Sequence, residues 1–221
     1  MSKKKKDGVC ALCGEMRPVT REHVPPKNLF LFPRPSNTIT VPVCESCNHS
    51  YHLDDEYFRV YVASGAEPGT RLWRLWKEKV VGSSFARSGG LKGLLNDDHG
   101  KVLEHHKTNP LRTFDGEILP AELLPLTQPF VVSRINAVVE KIIRCLYYSC
   151  GGVPMASSAS FDISIAPFNE SDFRLIRECR TGEVGQHDEF VFRYELVSPQ
   201  ESRWLLLFYG CREFNVRVRF N

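Results

Sequence analysis

Residues 10–48 read CALCGEMRPVTREHVPPKNLFLFPRPSNTITVPVCESCN, a segment that opens with one pair of cysteines and closes with another. Two residues separate the thiols in each pair, Cys10 with Cys13 and Cys44 with Cys47. This spacing forms a tight turn that directs two thiolates at one ion, and two such turns complete the tetrahedral ligand set of structural zinc. Because zinc can supply the folding free energy that a short, proline-rich segment lacks, we predict that one Zn²⁺ organises this segment.

The remaining cysteines do not favour a disulfide framework. Cys145, Cys150, Cys179 and Cys211 are scattered without a pairing spacing. The N-terminus, MSKKKKDG, is charged and no apolar stretch follows it, so we expect no secretory signal and a cytoplasmic protein whose thiols stay reduced. Paired CxxC motifs in that setting favour metal binding. A redox CxxC and four unrelated cysteines remain as alternatives.

The composition is that of an ordinary globular protein. Of 221 residues, 42% are hydrophobic and 25% are charged, and no apolar run is long enough to predict a membrane span. The net charge of +3 is unevenly distributed, since residues 68–112 hold nine basic against four acidic residues. Residues 113–221 hold eleven against fourteen. A basic middle beside a mildly acidic C-terminal half indicates a polyanionic partner on one face.

Hydrophobic periodicity predicts an α+β protein. Apolar residues at three- and four-residue steps over 130–149 predict a long helix that ends at the glycines 151–152. Aromatic and β-branched segments joined by short turns predict an antiparallel sheet behind it. These predicted strands cover 161–165, 189–197, 203–210 and 213–220. Nearer the N-terminus we predict a strand near 38–43, a helix from Asp54 to about residue 65, a second helix over 67–81, and irregular structure over 82–112.

The predicted organisation therefore has four parts. A disordered basic tail covers residues 1–8, and a zinc-organised module covers 9–65. A helical and loop connector over 66–112 leads to a C-terminal α+β region over 113–221, in which the long helix packs on the antiparallel sheet. The C-terminal region carries no catalytic motif, and it is a candidate interface for a homo-oligomer.

The order CALC, TREHVPPK, a β-like stretch and CESCN resembles the zinc-containing branch of the HNH endonucleases. The resemblance covers roughly residues 9–60 and implies a ββα-metal fold. That family carries an acid–histidine pair after the first cysteine pair, an asparagine within the hairpin, and an asparagine or histidine after the second pair. It implies hydrolysis of phosphodiester bonds, most often in DNA.

The resemblance also implies roles for individual residues. His23 would be the general base, while Glu22 and Asn48 would hold one catalytic Mg²⁺ or Mn²⁺, with His52 as a rival ligand. The orienting asparagine is the departure, because Ile39 stands where the family has it. The nearest asparagine is Asn37, and Asn28 is the alternative.

Three basic residues are predicted to contact nucleic acid. Lys27 follows the acid–histidine pair, and Arg71 and Arg74 alternate with Trp73 and Trp76 on the predicted helix over 67–81. Basic and aromatic side chains interleaved in this way can bind a strand by phosphate contact and base stacking. The same pattern also fits an amphipathic helix that buries its tryptophans. The alternative to an endonuclease is a catalytically inactive zinc module that binds nucleic acid or a protein partner.

Overall fold

The computed structural model describes residues 6–64, 66–108, 129–165, 180–185 and 189–220. Its mixture of helices and sheets confirms the predicted α+β class. Cys179 and the first part of the predicted C-terminal region, through residue 128, lie outside the described residues. The strands are β1 (Lys6–Val9), β2 (Met16–Val24), β3 (Ile39–Cys44), β4 (Ser160–Ile165), β5 (Arg180–Val184), β6 (Phe190–Ser198), β7 (Glu201–Phe208) and β8 (Arg212–Arg219). The helices are a 3-10 turn (Lys27–Leu29), α1 (Glu45–Ser50), α2 (His52–Ala63), α3 (Arg71–Leu75), a π-helix (Trp76–Ser84), α4 (Phe85–Arg87), α5 (Gly89–Thr108) and α6 (Pro129–Gly151).

The N-terminal sheet is a three-stranded antiparallel sheet in the order β1-β2-β3. Residues 6–8 were predicted to be part of a disordered tail, but they pair with β2, with Lys6 opposite Val19. This strand leads directly into the turn that holds Cys10, so the turn brings it alongside β2. In the same region β2, β3 and then the helices α1 and α2 follow one another, which gives the order strand, strand, helix.

The middle of the chain is more helical than its sequence predicts. The predicted helix over 67–81 starts at Arg71, where the Thr70 side chain caps it by accepting a hydrogen bond from the Trp73 amide at 3.1 Å, and it continues as the π-helix. The prediction of irregular structure over 82–112 is wrong, since α5 covers most of it. Glycines and polar residues conceal the helical period there, because few positions, such as Leu91, are buried against the core.

The C-terminal sheet has five antiparallel strands in the order β4-β8-β7-β6-β5. Four of these strands and the long helix α6 match the predicted segments to within two residues. Strand β5 was missed because its sequence, RTGEV, has few strand-forming residues. Its Gly182 lies so close to the ring of Phe192 that a Cβ there would stand 2.3 Å from ring carbons, so the ring occupies the space of the missing side chain.

One hydrophobic core joins the N-terminal module to the C-terminal region. Phe58 of α2 is fully buried, and its ring centroid lies 5.4 Å from that of Phe208 and 5.7 Å from that of Phe214. Helix α6 packs on α2 and on the strands β2 and β3. The side chains of α6 therefore reach the segment between the cysteine pairs. Within the described ranges, no helix has both the length and the apolar character needed to cross a membrane.

Candidate metal centre and adjoining cleft

The four predicted zinc ligands converge in space. The sulfur atoms of Cys10, Cys13, Cys44 and Cys47 all lie within 4.8 Å of one another. The Sγ atoms of Cys13 and Cys44 are 3.9 Å apart. Zn–S bonds of about 2.3 Å in a tetrahedron place neighbouring sulfurs about 3.8 Å apart. The cysteines therefore form a group that could hold one metal ion, and its dimensions are compatible with structural zinc.

Local backbone geometry fixes the first pair of cysteines. The chain turns back after Cys13 at Gly14, whose φ of +76° is a conformation that glycine adopts without steric cost. The Gly14 amide donates to the Cys10 carbonyl at 2.9 Å and closes the turn. The Cys44 amide donates a hydrogen bond to the Cys10 sulfur at 3.4 Å, and this bond holds the second cysteine pair against the first.

The ionisation of these thiols also favours a bound cation. The Ser46 hydroxyl, 3.3 Å from the Cys44 sulfur, is the largest influence that lowers the pKa of Cys44, to about 6. Burial and the neighbouring Cys44 raise the pKa of Cys47 above its usual range. The pKa of Cys44 and the pKa of Cys47 are therefore shifted in opposite directions within one cluster. A divalent cation would compensate the four thiolates, which is how metal binding becomes folding free energy.

A cleft of about 350 Å³ opens beside this centre, between β2, α1 and α2. It brings together five residues predicted for the active site and its substrate contact, which are Glu22, His23, Lys27, Asn48 and His52. Glu22 and His23 follow one another on β2, opposite Val41 and Thr40 of β3. Asn48 lies on α1, directly after Cys47, so the same cysteines that form the metal centre also position one wall of the cleft.

His23 is suited to accept a proton. Its side chain is partly buried, and burial, together with the positive charges of Lys27 and Arg34, lowers its pKa below the usual value. The neighbouring Glu22 opposes this shift without reversing it. The imidazole is therefore neutral at pH 7, which is the form a general base needs.

A lysine of α6 that was not predicted as a site residue, Lys141, contacts two residues that line the cleft. The Lys141 ammonium lies 2.6 Å from Glu22 Oε1 and 2.8 Å from Asp55 Oδ2, and the side chain is 1% exposed. Burial pulls the pKa of Lys141 down, but Asp55 and Glu22 outweigh it and raise the pKa. Burial raises the pKa of Asp55 to about 6 against the pull of Lys141. The sequence does hold a signal, since Lys141 falls on the buried face of α6, between Val138 and Cys145.

The cleft contains oxygen atoms suited to a second, harder cation. Asn28 Oδ1 and Asp55 Oδ1 are buried without a hydrogen-bond partner, whereas buried oxygens normally have one. Mg²⁺ binds through one or two carboxylates, with water and phosphate completing its shell. Among the described residues, only the four cysteines form a group of three or more His, Cys, Asp or Glu ligands close enough to share an ion. The carboxylates and histidines of the cleft therefore form no such group, and the unpaired oxygens of Asn28 and Asp55 are the donors that it could offer a cation.

Three predicted residues lie away from the cleft. Asn37 is not placed to orient His23, because its side chain holds β5, accepting from the Gly185 amide at 3.0 Å and donating to the Glu183 carbonyl at 3.2 Å. Asn28, the alternative asparagine, does line the cleft. Arg71 Nε lies 2.5 Å from Oε1 of the buried Glu189, so the Arg71 charge is already paired within the protein. Arg74 lies on the exposed side of α3, where it contacts Glu78 at 3.3 Å.

No family model, no curated protein and no solved structure matches this chain. A fold class by itself assigns no activity, so the function depends on what these side chains can do. The cleft combines a neutral histidine, carboxylate and amide oxygens, and the cation Lys27 at its rim. That combination is suited to the hydrolysis of an anionic ester.

Proposed function

We propose that this chain is a metal-dependent endonuclease of the HNH type, which hydrolyses phosphodiester bonds in DNA. The observation that carries the proposal is that His23, Glu22 and Asn48 open on one cleft beside the four-cysteine centre. The order strand, strand, helix around that cleft agrees with the ββα-metal module that the sequence resembles. Zinc in the cysteine centre supports the loop and takes no part in the chemistry.

Each side chain of the cleft has one task in this mechanism. His23 accepts a proton from the attacking water, and Lys27 contacts a phosphate oxygen. Glu22 and Asn48, with Asp55 and Asn28 beside them, would hold Mg²⁺ or Mn²⁺, and His52 at the rim is a further candidate ligand. When bound, such a cation stabilises the charge that develops on the phosphate and on the leaving oxygen. Glu22 can still act as a ligand while it contacts Lys141, because a carboxylate has two oxygens.

Replacing His23 tests the proposal directly. In a nicking assay on supercoiled plasmid with Mg²⁺ or Mn²⁺, we expect wild type to cut and His23→Ala to cut roughly 10²–10⁴-fold more slowly, because general base catalysis is lost. His99→Ala is the matched control, since His99 is an exposed histidine on α5 that does not line the cleft. Equal rates for His23→Ala and wild type would remove His23 from the mechanism.

One observation favours the alternative of a zinc module that binds without cutting. Lys141 neutralises part of the negative charge that a catalytic cation would otherwise meet at Glu22 and Asp55. That alternative predicts plasmid binding by the wild type with no nicking by either protein, at any concentration of Mg²⁺ or Mn²⁺. Absence of both binding and nicking, with plasmid and with a single strand, would exclude DNA as the partner and favour a protein partner.

A further inference from the structure

Phe32 is displayed to solvent by a well-anchored loop. The three preceding residues, Leu29, Phe30 and Leu31, are each 1% exposed, whereas Phe32 is 63% exposed. The loop is held further by the Tyr209 hydroxyl, which donates to the Leu29 carbonyl. Among the residues whose side-chain exposure the structure describes, no other phenylalanine, tyrosine or tryptophan is exposed to this degree. A ring presented from a fixed loop needs little ordering when it binds a partner.

Two cations lie against this ring. The Arg34 guanidinium carbon is 4.5 Å from the ring centroid, and the Lys79 ammonium, from the π-helix, is 4.7 Å from it. Within the described part of the chain, no carboxylate lies within ion-pair distance of Arg34 or Lys79, so both charges remain available to an anion. Both cations lie over the ring, and the Phe32 side chain is still 63% exposed, so ring surface remains open beside the two positive charges.

The ring lies near the catalytic cleft. Phe32 is five residues after Lys27, whose side chain lines the cleft. The charge of Arg34 is close enough to His23 to lower the pKa of that histidine. Positive charge therefore continues from the cleft, through Lys27 and Arg34, to the exposed ring.

We propose that Phe32, Arg34 and Lys79 form a platform that stacks an unpaired base of a nucleic-acid strand beside the cleft. The inference rests on the proposed function and deepens it, because it selects single-stranded or locally unpaired segments as the substrate. Every base has a π-face that can stack on an aromatic ring, while Arg34 and Lys79 meet the adjoining phosphates. In an intact duplex the base faces are covered by their neighbours, so the ring finds nothing to stack on.

Fluorescence anisotropy with labelled oligonucleotides tests the platform without any cleavage. The full chain is titrated, with no added divalent cation, into a single strand, the same strand with abasic sites, and the matching duplex. We expect Phe32→Ala to weaken binding to the intact single strand by roughly tenfold, within the range measured for base–aromatic stacking. Binding to the abasic strand and to the duplex should change less than twofold.

Three further substitutions separate stacking from apolar contact and from misfolding. Phe32→Trp should preserve single-strand affinity, whereas Phe32→Leu, which keeps apolar area but has no ring, should lose it like Phe32→Ala. Met16→Ala is the matched control, because Met16 is 68% exposed on β2. A parallel loss for the duplex and the abasic strand, or full affinity in Phe32→Leu, would overturn the platform. So would a wild type that does not bind the single strand.

The platform and the hydrolysis can fail separately. If Phe32→Ala weakens single-strand binding, and neither wild type nor any variant cuts plasmid or the labelled single strand with Mg²⁺ or Mn²⁺, the binding surface stands and the endonuclease proposal fails. If His23→Ala abolishes nicking and Phe32→Ala binds the single strand like wild type, the endonuclease stands and the platform fails.

Discussion

Removing the metal from the four-cysteine centre is expected to unfold the N-terminal sheet. Structural zinc contributes on the order of 10–16 kcal/mol at pH 7, as much as the whole stability of many domains. Cys10 and Cys44 are buried in the shared core, with 0% and 2% exposure, so empty thiols there would disturb both the sheet and the core. Even about 5 kcal/mol would lower the unfolding temperature by on the order of 10–20 °C for a chain of this size. Thermal unfolding with and without a strong chelator measures the effect.

Matched cysteine variants show whether the effect belongs to this site. Cys44→Ser is expected to lose the bound zinc, measured as metal content per chain, and to unfold at the temperature of chelated wild type. Cys150→Ser should keep one zinc per chain and the wild-type unfolding temperature, since Cys150 is exposed and lies outside the group. A full equivalent of zinc in Cys44→Ser would show that the four sulfurs do not share an ion.

The parts of the site that the sequence predicts are those encoded by local spacing. The turn at each CxxC pair can be predicted from its spacing, because the turn depends on only four consecutive residues. Glu22 and His23 are likewise adjacent in the sequence, and both line the cleft although strand alternation by itself would send them to opposite faces of β2. Long segments with a helical period are predicted equally well. The spacing of Ile135, Val138 and Ile142, all of them buried, is enough to predict α6.

The parts that the sequence does not predict depend on contacts between distant segments. Lys141 contacts Glu22 across about 120 residues, and although its place on the buried face of α6 indicates that it needs a partner, it does not indicate which one. Asn37 lies close in sequence to the position of the orienting asparagine in the HNH endonucleases that the segment resembles. Its side chain is instead hydrogen-bonded to backbone groups of residues 183 and 185. Phe32 reads as one more apolar residue in LFLFP, and only its exposure distinguishes it. Tertiary burial therefore decides which polar and aromatic residues remain available for function.

Replacing Lys141 with methionine is expected to destabilise the protein by about 3–5 kcal/mol at pH 7, because the change leaves two buried carboxylates without their cation. Glu22 and Asp55 side chains are only 11% and 14% exposed, so water cannot replace the ammonium fully. Chemical denaturation of the zinc-loaded protein, with no added divalent cation, measures the free energy of unfolding. Adding Asp55→Asn to Lys141→Met should recover part of the loss, since one of the two charges is then gone.

The pH dependence identifies the charge pair as the cause. The pKa of Asp55 in the folded protein is raised to about 6, above its value in an unfolded chain, so this group stabilises the fold in acid. That contribution is fully present below about pH 4 and is lost as the pH rises through about 6. Without Lys141 the pKa of Asp55 rises further, so the deficit of Lys141→Met should be larger at pH 8 than at pH 5. Lys107→Met, which removes an ion pair with Glu104 on α5 between two side chains that are each 73% exposed, should cost less than about 1 kcal/mol at either pH. A deficit independent of pH would instead assign the loss of stability in Lys141→Met to packing in the core, and the cleft carboxylates would then not depend on α6 for their charge balance.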